Sequence, residues 1–304
     1  MMATAIPTNS LGRTGLEVTS LGFGAYELRG APTGRDISPK QAAEILNGVL
    51  DSGINFIDTS IDYGMSEEYI GQFISNRRDE YYLGSKCGCV PDLVSQSTGS
   101  PMPHDYTKRN IVAGVEHSLR SMKTDYLDVV QFHGSPSREV LETNESVEAL
   151  IDLQVQGKIR HLGMSGTLPN LKDQIAMDIF DVFQIPYSAL YRQHESLISL
   201  AASVGAGTVI RGGVAQGAPE RSGAPRIEAW ELFDRAGLQE LLEVGEQRTD
   251  FILRFTLSHP DLHTTIVGTA NIDHILENVS TVMKGPLPPD VYEEAKARLN
   301  QLLD

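Results

Sequence analysis

Short apolar runs alternate with longer amphipathic stretches along nearly the whole chain. After a polar start, LGRTGLEVTSLGFGAYEL interrupts its apolar runs with glycines, which predicts a β-hairpin followed by a first strand over residues 20–25. Ile45, Leu46, Val49 and Leu50 then recur at helical spacing between Ser38, suited to capping a helix, and Gly53, suited to ending one. INFID reads as a second, buried strand and EYYLGS as a third. Ile111, Val115, Leu119 and Met122 mark the next helix face, and YLDVVQF the fourth strand. Val147, Leu150 and Leu153 mark a helix ending near Gly157, before KIRHLGMS, the fifth strand; VFQIP is the sixth. LISLAASVG is helical in pattern and leads to TVIRG, FILRFTLSH is again helical, and TTIVG is the eighth strand.

Strands that alternate with helices of ten or more residues pair in parallel, because parallel neighbours need a crossover rather than a tight turn. About eight such units occupy the 304 residues and leave no length for a second domain. The expected architecture is therefore one (β/α)8 TIM barrel over residues 1–304, with an N-terminal hairpin and long loops at the C-terminal face. The long loops are residues 88–105 and 212–226, both rich in glycine or proline, and connections of that length are typically lids or binding loops.

Composition narrows the function classes. With 25 Lys and Arg against 40 Asp and Glu, the formal charge of -15 repels nucleic acid and anionic membrane surfaces. The start, MMATAIPTNSLGRTG, lacks the apolar core of a secretion signal, and no run of about eighteen apolar residues occurs, so a cytoplasmic location is expected. Cys87 and Cys89 are too few for a disulfide framework or a four-cysteine zinc site, and are read as free thiols. No HExxH-type histidine spacing occurs, and Pro260 breaks the helix that a His259–His263 pair would need; no metal is expected.

The candidate chemistry lies where strands end. Asp58 ends the second strand, Tyr63 follows five residues later, Lys86 ends the third strand and His133 the fourth, so one barrel mouth gathers all four. Any one of them has an ordinary reading as a turn cap or a surface group; together they make a tunable acid. Reducing a carbonyl needs a hydride on carbon and a proton on oxygen, and tyrosine, at about pH 10, is by itself too weak an acid near neutrality. An ammonium beside the phenol favours phenolate, so Lys86 is expected to lower the pKa of Tyr63 while Asp58 keeps that lysine charged. His133 is placed to donate a hydrogen bond to the carbonyl oxygen, and the hydride comes from a nicotinamide.

GINFIDTSIDYGMSEEYIG closely resembles the signature of the aldo-keto reductases, with its Asp-Thr-x-x-x-Tyr-Gly core. LGSKCG, LDVVQFHG, GKIRHLGMSG, QIPYSALYR and GTANIDHILEN are similar to further blocks of that family in the same order, over residues 11–278. The resemblance implies a (β/α)8 barrel that reduces aldehydes and ketones, or runs the reverse, with NADP(H) preferred and NAD(H) as the alternative. It implies that Ser165 and Gln184 hold the nicotinamide carboxamide, that Gly24, Ala25 and Tyr26 border the cofactor, and that Gly268 and Thr269 form its phosphate loop. Glu277 and Asn278 match positions that grip the adenine.

Four departures bear on cofactor binding. Gly166 stands where the family usually has Asn, and Arg211 where many members stack an aromatic ring on the nicotinamide. His274 stands where an arginine often meets the adenosine 2′-phosphate, and Gly268 where some branches have lysine. An imidazole offers that phosphate a hydrogen bond but little charge, so a narrower margin of NADPH over NADH is expected. Two other functions stay open: an aldolase barrel forming a Schiff base on Lys86, and a cofactor-sensing auxiliary subunit of the channel-beta type. Substrate and oligomeric state are not legible in the residues.

Overall fold

The computed structural model describes residues 5–31, 34–90, 103–214 and 224–302, with backbone alone for 224–229. The loops at 88–105 and 212–226 therefore lie largely outside the described residues.

Eight parallel strands close into a barrel in the order β10-β3-β4-β5-β6-β7-β8-β9. They are β3 (Leu21–Gly24), β4 (Phe56–Asp58), β5 (Tyr82–Cys87), β6 (Leu127–Phe132), β7 (Ile159–Ser165), β8 (Val182–Pro186), β9 (Gly207–Arg211) and β10 (Thr264–Val267). Each matches one of the expected strands, and VFQIP does so residue for residue. Ahead of them β1 (Thr8–Ser10) and β2 (Glu17–Thr19) pair antiparallel as the hairpin, with Asn9 opposite Val18.

Period-two alternation along the strands decides what fills the barrel and what rims it. Phe56, Val129, Val182, Val209 and Ile266 from five strands pack with Leu11, Leu16 and Val18 of the hairpin region into one buried cluster. The hairpin thus stoppers the N-terminal end. Gly12 and Gly207 meet there so closely that a Cβ on either would strike the opposing segment. Two residues further along the same parity, Phe56 gives way to Asp58, Val129 to Gln131 and Val182 to Gln184, and the floor of hydrocarbon becomes a polar layer.

Outside the strands, Ser38 caps the helix Pro39–Asp51 as its sequence requires: Ser38 Oγ accepts from Gln41 N at 3.3 Å while Gln41 Oε1 accepts from Ser38 N at 3.1 Å. Gly53, at φ +89°, takes the left-handed conformation that ends it. The short helix Ser66–Phe73 meets the helix Lys108–Met122 through Gly71, where a Cβ would collide with the backbone of Ser121. Between these helices and β5 lies Glu67, whose Oε1 accepts from Ser85 Oγ at 2.6 Å and Ser118 Oγ at 2.8 Å while Oε2 has no partner among the described residues.

Burial pushes the Glu67 carboxyl up to about 7, against the pull of those two hydroxyls. A carboxyl raised in the folded state holds a proton that the unfolded chain has released, so its cost grows as pH rises from about 4.5 to about 7 and is complete above that. Glu67→Gln, close in shape to the neutral acid, is accordingly expected to stabilise the protein by about 1–3 kcal/mol at pH 8 and by nothing measurable at pH 4.5. Paired thermal melts at the two pH values check this, and an equal effect at both would refute it.

Candidate active site

At the carboxyl ends of the strands, the four residues expected to act together do meet. Lys86 Nζ lies 2.6 Å from Asp58 Oδ2 and donates to the Thr59 carbonyl at 2.8 Å. The pair is almost wholly buried. Its ammonium stands 4.8 Å from the centre of the Tyr63 ring, and the His133 ring lies 6.1 Å from that of Tyr63, nearly perpendicular to it. Gly64, at φ +46°, turns the chain directly after Tyr63, where a side chain would strike the backbone at Arg29. Tyr26 packs edge-on against Tyr63 at 4.9 Å.

The remaining lone pairs of Asp58 are used as well. Its Oδ1 accepts from Gln131 Nε2 and from Gln184 Nε2, both at 2.8 Å, and the Gln184 carbonyl accepts from Ser165 Oγ at 3.4 Å. Gln131 was not among the expected site residues. Its signal is a buried amide at the parity of Val129, on the barrel-facing side of the strand.

The electrostatics differ from the expectation in one respect. Burial pushes the Tyr63 phenol up to about 12, with Lys86 pulling the other way as a neighbouring charge and a hydrogen-bond donor. The lysine therefore acts in the expected sense, but desolvation outweighs it and the phenol stays protonated through the physiological range. Burial alone would lower the Lys86 ammonium, yet Asp58 and Tyr63 hold it above its ordinary value, so it stays charged.

Burial drives the His133 imidazole well below its usual range, so the ring is neutral. Its Nδ1 lies 3.2 Å from Cys89 Sγ, while Asp62 Oδ2 at 3.5 Å is beyond hydrogen-bond distance. Ser60 Oγ donates to Asp62, and the Cys89 thiol is within reach to donate to Nδ1. In that tautomer the ring hydrogen sits on Nε2, which has no partner among the described residues. Asp62, Cys89 and His104, which stands edge-on to His133 at 5.2 Å, were not anticipated, because they reach this point from separate loops. Cys87, on the opposite face of β5, is buried with its thiol pushed up by desolvation, and packs as expected.

The residues matched to cofactor binding lie along the same rim. Gly24 ends β3, with Ala25 and Tyr26 in the 3-10 turn Ala25–Arg29, and Gly268 and Thr269 follow β10 directly. His274, Glu277 and Asn278 share one face of the helix Ile272–Met283, and His274 Nδ1 lies 3.2 Å from Thr269 Oγ1. Bare backbone at Gly268 is enforced: a Cβ there would sit 2.8 Å from the Gly24 carbonyl, which explains why no lysine occupies the position. At Gly166 a Cβ would lie 2.6 Å from Leu171 Cδ1 and 2.7 Å from Gln174 Oε1, the far ends of side chains that can move aside, so the glycine there is not enforced in the same way. Arg211 ends β9 with its Nε buried and without a hydrogen-bond partner among the described residues.

Comparison with known proteins agrees with this geometry. The sequence profile of the Aldo/keto reductase family matches residues 20–299. The solved structure of aldo-keto reductase AKR11C1 from Bacillus halodurans in its holo form superposes with a TM-score of 0.82 at 28% identity, covering 96% of each chain. An uncharacterized oxidoreductase of Bacillus subtilis, YqkF, is 27% identical over 88% of this chain and 89% of its own. The L-galactose dehydrogenase of Arabidopsis thaliana is 26% identical over 92% of this chain and 89% of its own. With a profile match over nearly the whole length and the barrel it requires, the chain belongs to the aldo/keto reductase family of oxidoreductases.

Proposed function

We propose that the protein reduces aldehydes or ketones to alcohols, or runs the reverse, with Tyr63 as the group that gives and takes the proton. The observation that carries this reading is the buried Asp58–Lys86 pair at 2.6 Å, set 4.8 Å from the centre of the Tyr63 ring. A nicotinamide cofactor supplies the hydride when bound. The residues fit one: Gly268 offers backbone without a side chain, and the helix Ile272–Met283 opens immediately after it, which is where a phosphate is best received. Ser165 and Gln184 would hold the carboxamide, Gly24, Ala25, Tyr26 and Arg211 would border the ring, and Thr269, His274, Glu277 and Asn278 would hold the nucleotide end.

The protein's own work is proton handling and orientation. A phenol that stays protonated is ready to donate to the carbonyl oxygen, and Lys86 stabilises the phenolate left behind. His133 Nε2–H directs a second hydrogen bond to the same oxygen. The aldolase reading fares worse, because a lysine held charged by an ion pair is a poor nucleophile. Borohydride treatment with a carbonyl substrate is expected to leave Lys86 unlabelled.

The direct test is to follow oxidation of NADPH and NADH against a panel of aldehydes, ketones and sugars, comparing one turnover with the steady state. Sustained turnover fits an enzyme; a single slow turnover fits a sensing subunit. NADPH is expected to be the better cofactor by a modest margin. His274→Arg is expected to widen that margin by roughly 5–10-fold in kcat/KM, through a charge-assisted contact with the 2′-phosphate. A margin unchanged by the substitution would place the phosphate elsewhere.

A further inference from the structure

Three side chains from separate segments converge on the Nδ1 edge of His133. Cys89 Sγ lies 3.2 Å from Nδ1. The backbones of Cys89 and His104 pair in an isolated antiparallel bridge, which brings the His104 ring edge-on to His133 at 5.2 Å. One donor atom from each of the three falls within 4.8 Å of the others. His104 Nε2 is buried with no hydrogen-bond partner among the described residues, a state that costs about 1–3 kcal/mol unless something fills it. The ring is held in place, for Tyr106 stacks on it at 5.8 Å with the two planes nearly parallel, and anchors itself by donating to the His133 carbonyl at 2.5 Å. Asp62 Oδ2 stands 3.5 Å from the same Nδ1.

We propose that Cys89, His104 and His133 form a binding site for a thiophilic divalent cation, zinc above all, with Asp62 or a water as the fourth ligand. Tetrahedral zinc, with bonds of about 2.0–2.3 Å, sets its ligand atoms roughly 3.3–3.7 Å apart. The 3.2 Å and 3.5 Å separations at His133 Nδ1 need little adjustment to reach that, and the donor atoms of the three residues, within 4.8 Å of one another, close to it by about 1 Å of side-chain movement. A thiol with two imidazoles selects zinc over magnesium or calcium, which favour oxygen. On binding, the Cys89 proton passes to solvent as the sulfur becomes a thiolate ligand, and the metal takes the lone pair of His133 Nδ1. The hydrogen stays on Nε2, so the donor toward the mouth survives. The ion would clamp Cys89 and His104 to the end of β6 from behind the reacting centre.

The full-length chain, stripped by chelator and kept reduced, is expected to take up one equivalent of Zn2+ in competition with a chromophoric chelator. Its Co2+ adduct is expected to show thiolate-to-cobalt charge-transfer absorption. Cys89→Ser should abolish that band, and His104→Ala should weaken Zn2+ binding at least about 10-fold, the lower end even for groups that merely support a ligand. No stoichiometric uptake by the unmutated chain, or a cobalt adduct without the thiolate band, overturns the proposal, and this holds even if neither variant folds. Retention of the band in Cys89→Ser overturns it too.

Discussion

Tyr63→Phe is expected to slow carbonyl reduction by at least about 100-fold, while nucleotide binding stays within a few-fold of the original. The substitution removes one oxygen. The phenyl ring keeps its edge-on contact with Tyr26 at 4.9 Å and its place over the Lys86 ammonium, so the walls of the site persist. What disappears is the hydroxyl proposed to give the proton, beside the lysine that would stabilise the anion it leaves. A loss confined to kcat/KM for the carbonyl, with unchanged quenching of protein fluorescence by the nucleotide, is the expected pattern. Turnover at the original rate would show that some other group gives the proton.

The second large effect concerns stability. Asp58→Ala strands the Lys86 ammonium with the Thr59 carbonyl as its remaining acceptor and takes the shared oxygen from Gln131 and Gln184. Deleting one member of a buried ion pair costs about 3–5 kcal/mol, because the partner charge keeps its desolvation penalty. Asp58→Asn, which keeps an acceptor oxygen, should cost less. Adding Lys86→Met to the alanine variant should recover part of the loss, since it removes the orphaned charge. Urea unfolding of the three variants measures this, and equal midpoints for Asp58→Ala and the unmutated chain would contradict the ion-pair geometry. Activity falls in each, so stability is the discriminating readout.

Much of the scaffold was legible because its signals are repeated. Eight apolar runs bounded by glycines and helical faces recur around the barrel, and each is buried on both sides as a parallel strand must be. Less visible were the helices Ser66–Phe73 and Leu171–Ala176, with eight and six residues too short for a face to emerge from periodicity. The tetrad followed from chain order, since strand ends in such a barrel share one mouth. The Gln131 contact needed strand register, and the Cys89, His104 and His133 cluster needed loop geometry, which no spacing rule encodes. Nor does sequence weigh burial against charge: at Tyr63 the same lysine that motivated a lowered pKa is outbid by desolvation.

The hairpin that seals the lower end of the cylinder also has a kinetic consequence. Among the described residues, a cylinder stopped at its base is open only at the opposite end. On the proposed reading, a nucleotide and a carbonyl compound would then share that entrance, and whichever settled deeper would be the last to leave. The order of arrival and departure would thus be set by two leucines and a valine on the far side of the molecule from the chemistry.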